Sequence, residues 1–119
     1  MSLPETIPVW NRIAAFWDQH IQEGNDFQQK LIMPTTDRLL GDVTGKAMLD
    51  ACCGNGNYAR RLAARGAVVT AFDGSSVFIE KAIARTPLDA KISYSVIDAT
   101  DDDALLALGE KTFDSVVCS

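Results

Sequence analysis

Apolar positions in the first part of the chain recur at helical spacing. Trp10, Ile13, Ala14, Trp17 and Ile21 stand three, four and seven residues apart, which predicts a helix with one apolar stripe. Pro8 suits its start, and Gly24 or Asn25 its end. A second helical stretch carries Phe27, Leu31, Ile32, Leu39 and Leu40, with Asn25 or Asp26 as its cap and Gly41 as its stop. Pro34 falls in its middle and predicts a kink or two short helices. After the polar loop 42–46 the period changes. Residues 47–51, 67–72, 92–97 and 113–119 read as strands, and the unbroken apolar run 67–72 is the signature of a strand covered on both faces. Helical patterns separate them. One covers 58–65 and is stopped by Gly66. Another is capped by Ser75 or Ser76, runs to Ala84 or Arg85 before Pro87, and turns Val77, Phe78, Ala82 and Ile83 inward. A short third pattern starts at Thr100-Asp101-Asp102-Asp103 and stops at Gly109.

The order is therefore two helices followed by β-α-β-α-β-α-β. Strands alternating with helices predict an α/β fold, a parallel sheet with right-handed crossovers and helices on both faces. No repeat or linker divides the chain. Residues 1–119 read as a single domain, with a helical leader over 1–45 and an α/β core over 46–119.

Composition narrows the function classes. At 119 residues, with 47% hydrophobic and 23% charged residues, the chain is at most one globular domain. A net charge of -5 argues against nucleic acid or an anionic membrane as an obligatory partner. The start, Met1-Ser2-Leu3-Pro4-Glu5, lacks the basic and apolar regions of a signal peptide, so a cytoplasmic location is the default. Cys52, Cys53 and Cys118 form no C-x-x-C pattern and read as small, buried, reduced apolar side chains, and His20 is the sole histidine. No metal site is expected. His20 should face solvent beside Gln19 and Gln22. Trp10 and Trp17 admit two readings: a lid over a ligand, or docking of the helix on the domain, which the general burial of aromatics favours.

The chemistry concentrates where the first strand ends. Met48-Leu49-Asp50-Ala51-Cys52-Cys53-Gly54-Asn55-Gly56-Asn57 reads as strand, tight turn and helix start. Gly54 and Gly56 permit unusual backbone angles and close ligand approach, and the helix would aim free N–H groups at that ligand. Asp50, Asp73 and Asp98 close three successive strands. In an open α/β sheet all three would face one crevice outside the carboxyl ends of the strands. Gly54-x-Gly56-x-x-Ala59 also satisfies the dinucleotide fingerprint. Two features favour a cationic nucleoside instead. Asp50 precedes the glycines, where it would repel a pyrophosphate and attract an ammonium. The turn also carries no lysine or arginine.

These motifs together resemble the class I S-adenosylmethionine-dependent methyltransferases. Residues 49–56 look like the family's first motif, L-D-x-G-C-G-T-G. Ala71-Phe72-Asp73-Gly74-Ser75-Ser76 looks like its second and Asp98-Ala99 like its third, while Phe113-Asp114-Ser115-Val116-Val117 resembles the F-D-x-V of the fourth strand. The leader, with Trp17-Asp18 and Asn25-Asp26-Phe27, is also similar to that of many relatives. The resemblance implies a Rossmann-like three-layer sandwich with strand order 3-2-1-4, and S-adenosyl-L-methionine as cofactor with S-adenosyl-L-homocysteine as product. It further implies a site built from Asp50 at the amino-acid end, Cys52, Cys53, Gly54, Asn55 and Gly56 in the turn, Asp73 with Gly74 and Ser75 at the ribose, Asp98 and Ala99 at the adenine, and Cys118 near the methyl group. No residue reads as a general base, so no catalytic residue is assigned. The expected acceptor is a small molecule. Two departures stand out. Cys52 replaces the family's first glycine, and the family domain usually continues for about as much again, so the acceptor-binding half is expected to be missing. The apolar fourth strand would then be an open edge. The alternative reading is a non-catalytic nucleotide-binding domain that pairs with itself through that edge.

Overall fold

The computed structural model describes residues 3–109 and 113–118. Helix α1 (Leu3–Ile21) leads, followed by a single π-helical stretch (Gln28–Ile32) that runs into α2 (Met33–Leu40). The core then alternates β1 (Ala47–Ala51), α3 (Asn57–Ala64), β2 (Val68–Asp73), α4 (Ser76–Arg85), β3 (Ile92–Val96), α5 (Asp102–Gly109) and β4 (Ser115–Val117). All three strand pairings are parallel and the order is β3-β2-β1-β4, as the resemblance implied. Asp114 anchors β4: its Oδ2 accepts from the Ala47 N–H at 2.8 Å while its own N–H donates to the Ala47 carbonyl at 2.7 Å. Two expectations, Ser119 at the end of β4 and the lack of a signal peptide read from Met1-Ser2-Leu3-Pro4-Glu5, fall wholly or partly on positions outside the described residues. Among the described residues no helix is long and apolar enough to cross a membrane.

Alternation along the strands builds the core on one side of the sheet. Met48, Val69, Ala71 and Val117 face Tyr58, Ala59 and Leu62 of α3, Ile79 of α4, and Met33. The opposite face is less covered than the run 67–72 suggested. Phe72 is buried there, but Val68 is 45% exposed and, on β4, Val116 is 61% exposed. The apolar run recorded β2's central place between two strands, which local pattern cannot separate from coverage by helices.

Several local expectations shift for identifiable reasons. α1 starts well before Pro8, which lies inside it and leaves one carbonyl of the preceding turn without its helical donor. The second helix is capped by a reciprocal box: Asn25 Oδ1 accepts from the Gln28 N–H at 2.9 Å, and Gln28 Oε1 from the Asn25 N–H at 3.1 Å. Pro34 produces the expected break, but as a π-turn in which the Met33 N–H reaches back to the Gln28 carbonyl. On α4, Ser75 is the cap, accepting from the Phe78 N–H at 3.2 Å. Phe78, Ile79 and Ala82 are its buried residues, while Ile83, expected inward, is exposed.

The largest change concerns α1. Its buried positions are Ala14, a member of the predicted stripe, and Asp18, which is not, while Trp10 and Trp17 of that stripe lie on the flank. Hydrophobic periodicity could not find the whole of this face because two of its contacts are polar. Asn11 accepts from the Ser75 hydroxyl, and Asp18 pairs with Arg85 of α4. His20 is exposed as expected, stacked on Phe16 with ring centroids 4.0 Å apart.

Candidate functional site

A cleft of about 420 Å³ opens between α1 and the carboxyl ends of β1, β2 and β3. Its floor is the turn after β1, with Cys52, Cys53, Gly54 and Asn55. Asp73, Gly74 and Ser75 follow β2 on one side, with Asp98 and Ala99 after β3 beyond them. Thr6, Ile7, Trp10, Trp17 and Ile21 form the wall contributed by α1. Of the twelve residues implied by the resemblance, nine line this cleft; Asp50, Gly56 and Cys118 do not.

Each glycine of the turn has its own reason. Gly54 has φ +57°, and a Cβ built on it meets nothing within 4 Å, so this backbone is bare to the cleft. Gly56 serves packing within the protein. A Cβ there would stand 2.6 Å from the Tyr94 hydroxyl and 3.1 Å from both Ala82 and Arg60, so close approach of a ligand is not what excludes a side chain. The start of α3 also departs from expectation. The Asn57 N–H donates to Asn55 Oδ1 at 3.2 Å and the Tyr58 N–H to Asn57 Oδ1 at 2.8 Å. Two of the helix's first donors are thereby taken by the chain itself.

Asp73 is held ready. Its Oδ2 accepts the Gly54 N–H at 3.0 Å and its Oδ1 the Ser75 N–H at 2.9 Å. These bonds tie the β1 turn to the β2 turn and orient the carboxylate at the cleft, each oxygen retaining a lone pair for a further donor. Asp98 is similar: its Oδ1 accepts the Thr100 hydroxyl at 2.7 Å and the Thr100 N–H at 2.9 Å, which lower its pKa and keep it ionised.

Asp50 is placed differently from the expected direct contact. It is fully buried on the helix-covered face, beside Met48, and neither carboxyl oxygen has a hydrogen-bond partner. Burial first, then the charge of Asp73, push its pKa up to about 7. A buried carboxyl with a shifted pKa and no hydrogen-bond partner, beside a cleft, is a frequent mark of a functional site.

Cys52 sits at φ +55°, in the left-handed region that costs an L-residue roughly 1–2 kcal/mol. Its side chain meets that of Cys118, which follows β4, and burial together with this neighbour raises its thiol pKa. Against the expected burial of the three cysteines, Cys52 and Cys118 are exposed and Cys53 is buried. The raised pKa holds the Cys52 thiol in its weakly nucleophilic neutral form. Cys52→Gly is expected to stabilise the fold by roughly 0.5–1 kcal/mol after the added freedom of the unfolded chain is subtracted, read from urea-denaturation midpoints. A loss of stability would show that the side chain, with its Cys118 contact, outweighs the backbone strain.

The tryptophans resolve in favour of the site. Trp10 is 42% and Trp17 39% exposed, and both stand on the cleft wall. Trp10 also docks, its ring centroid 6.1 Å from that of Phe78. Sequence reasoning missed the groups that fasten this wall, Asp18, Arg60 and Arg85. A charged residue gives no periodicity signal when its burial depends on partners far along the chain.

Comparison with known proteins agrees with this geometry. Residues 48–119 match the methyltransferase-domain family profile. Magnesium-protoporphyrin O-methyltransferase of Rhodobacter capsulatus is 40% identical over 101 residues, 83% of this chain and 41% of that protein. The 23S rRNA (uracil(1939)-C(5))-methyltransferase of Azoarcus is 29% identical over 113 residues, 90% of this chain and 26% of that protein. The chain thus spans less than half the length of either curated relative. The crystal structure of magnesium protoporphyrin IX methyltransferase from Synechocystis, solved with S-adenosylhomocysteine bound, superposes with a TM-score of 0.70 at 20% identity, over 98% of this chain and 57% of that one. That likeness concerns the fold. Strand order, the glycine turn and the family match together place the chain in the class I S-adenosylmethionine-dependent methyltransferase family.

Proposed function

We propose that the chain, acting as a single domain with leader 1–45 and core 46–119, binds S-adenosyl-L-methionine in this cleft and serves methyl transfer to a small-molecule acceptor. The observation that carries the reading is the ring of Asp73, Asp98 and Ala99 around the bare backbone of Gly54, with the unpaired Asp50 beneath. The donor set fits the cofactor. Asp73 offers one free lone pair per oxygen to the two ribose hydroxyls. Asp98 offers Oδ2 to the adenine amino group, because both Thr100 bonds fall on Oδ1. The carboxylate of Asp73, and that of Asp50 once ionised, suit a ligand with cationic sulfonium and ammonium groups. Bound there, the cofactor supplies an electrophilic methyl on a positively charged sulfur. The protein's part is positioning and exclusion of water, with Trp10 and Trp17 walling the cleft.

A small-molecule acceptor is supported by the name of the Rhodobacter relative and by the net charge of -5, which disfavours the RNA acceptor of the Azoarcus one. Calorimetric titration of the folded chain with S-adenosylhomocysteine and with NAD tests the cofactor. Binding of the first alone is expected. Binding of NAD alone would return the site to the dinucleotide reading, and binding of neither would overturn the proposal.

A second reading, self-association, is favoured by one observation. Among the described residues β4 pairs only with β1, and Val116 is exposed. Sedimentation should then show dimers at high concentration; a strict monomer excludes this.

A further inference from the structure

The wall and the floor of the cleft are joined by one carboxylate. Asp18, near the end of α1, is buried. Its Oδ1 accepts from Arg85 Nε at 2.6 Å and from Asn55 Nδ2 at 3.1 Å, and its Oδ2 accepts from Arg85 Nη2 at 3.1 Å. Arg85 also donates to the Asp18 carbonyl at 3.3 Å. Asn55 is part of the glycine turn, and the same amide nitrogen donates at 2.8 Å to the carbonyl of Gln22, just beyond α1. Arg60 of α3 completes the junction. Its Nη1 donates to the Asn55 carbonyl at 2.5 Å, its Nε to Glu23 at 3.0 Å, and its Nη2 to the Gln22 carbonyl at 3.5 Å.

The arrangement has a directional consequence. Asn55 stands between Gly54, whose backbone is bare to the cleft, and Gly56, whose left-handed backbone starts α3. Both hydrogens of the Asn55 amide are directed at the leader, so this buried side chain has no donor left for a ligand, and its Oδ1 already takes the Asn57 N–H. Its contribution to the site is the position of the turn. The leader end that holds it also carries Trp17 and Ile21, on either side of Asp18, as cleft wall.

We infer that Asp18 is a positioning residue: through Asn55 it fixes the glycine turn and, through Arg85, it holds α1 closed as the wall of the cofactor cleft. It touches no ligand itself. Occupancy of the cleft and docking of the leader are therefore coupled, because a displaced leader loosens the turn that Asn55 holds. A bound ligand steadies both. The inference rests on the cofactor reading above, and its test is built to fail separately.

The whole chain is compared with Asp18→Asn, which removes the charge at nearly constant volume, and with Arg85→Lys, a milder change that keeps the charge and loses the second prong. Affinity for S-adenosylhomocysteine is expected to fall about tenfold in the first and severalfold in the second. Hydrogen exchange without ligand supplies a readout that a general loss of stability would not give. Exchange should quicken together over 13–22 and 52–57 while β3 keeps its protection. Asp26→Ala breaks the exposed Lys30 pair of the leader and should change neither reading. Unchanged affinity and exchange in Asp18→Asn would overturn the inference, as would faster exchange spread evenly over all strands. Should the unaltered chain bind no S-adenosylhomocysteine, the cofactor reading falls, and the exchange pattern alone decides whether Asp18 couples leader and turn.

Discussion

Asp73→Ala should weaken binding of S-adenosylhomocysteine by about a hundredfold, the largest single loss in affinity expected in this chain. Two charge-assisted hydrogen bonds to ribose hydroxyls would disappear, together worth roughly 3 kcal/mol. The variant should also lose roughly 1–3 kcal/mol of stability, because the Gly54 and Ser75 N–H groups lose the acceptor that joins the two turns. Calorimetry below the lowered Tm separates the two effects. Asp73→Asn provides the finer comparison: its amide oxygen can still accept one backbone bond, but its nitrogen can no longer accept a second. Affinity within threefold of the unaltered protein in both variants would remove Asp73 from the site.

Asp50→Asn should act on stability and in the opposite sense. Burial raises the native carboxyl from the ordinary aspartate value of 3.8 to about 7, so between those values the folded state keeps a proton that the unfolded chain has released. Stability therefore falls as pH rises from about 4 to about 7, at about 1.4 kcal/mol per pH unit, and stays lower above that range. The amide mimics the protonated acid and does not titrate. It should stabilise the fold by roughly 2–4 kcal/mol at pH 8 and by little at pH 4. Urea-denaturation midpoints of both proteins at these two pH values check this. An equal loss at both would show that Asp50 has a partner worth more than the cost of its burial. A carboxyl kept buried against stability is a frequent mark of a functional site.

Much of the core was legible because its signals are local. β1 falls at Ala47–Ala51 as the sequence pattern indicated, and the acids that close β1, β2 and β3 are found at one end of one sheet. Parallel strands joined by helices leave few arrangements, so alternation of element types already limited the topology. The turn residues were also readable, since a backbone at φ +57° selects glycine directly. Cys52 shows the limit of such reading. Its substitution for a family glycine was visible in sequence, whereas its strained backbone and its contact with Cys118 belong to the folded chain.

The leader was read least well. Its apolar stripe suggested that Trp10 and Trp17 dock the helix; Trp10 does meet Phe78, but Ala14 and Asp18 form the buried face and both tryptophans wall a cleft. Asp18 is buried because Arg85 and Asn55 meet it, residues that lie 67 and 37 positions away. Gly56 is glycine because Tyr94 of β3 comes close, and Asp50 is unpaired because its position on β1 turns it to the same buried face as Met48. The sequence by itself therefore determined the order of elements, the strand-end acids and the cofactor class they suit, because periodicity and turn chemistry are properties of neighbours in the chain. The tertiary structure alone decided which acids reach the cleft, which polar groups can be buried, and that the leader closes the site. Those outcomes depend on pairings between distant residues, whose desolvation cost is met only when the whole fold brings their partners together.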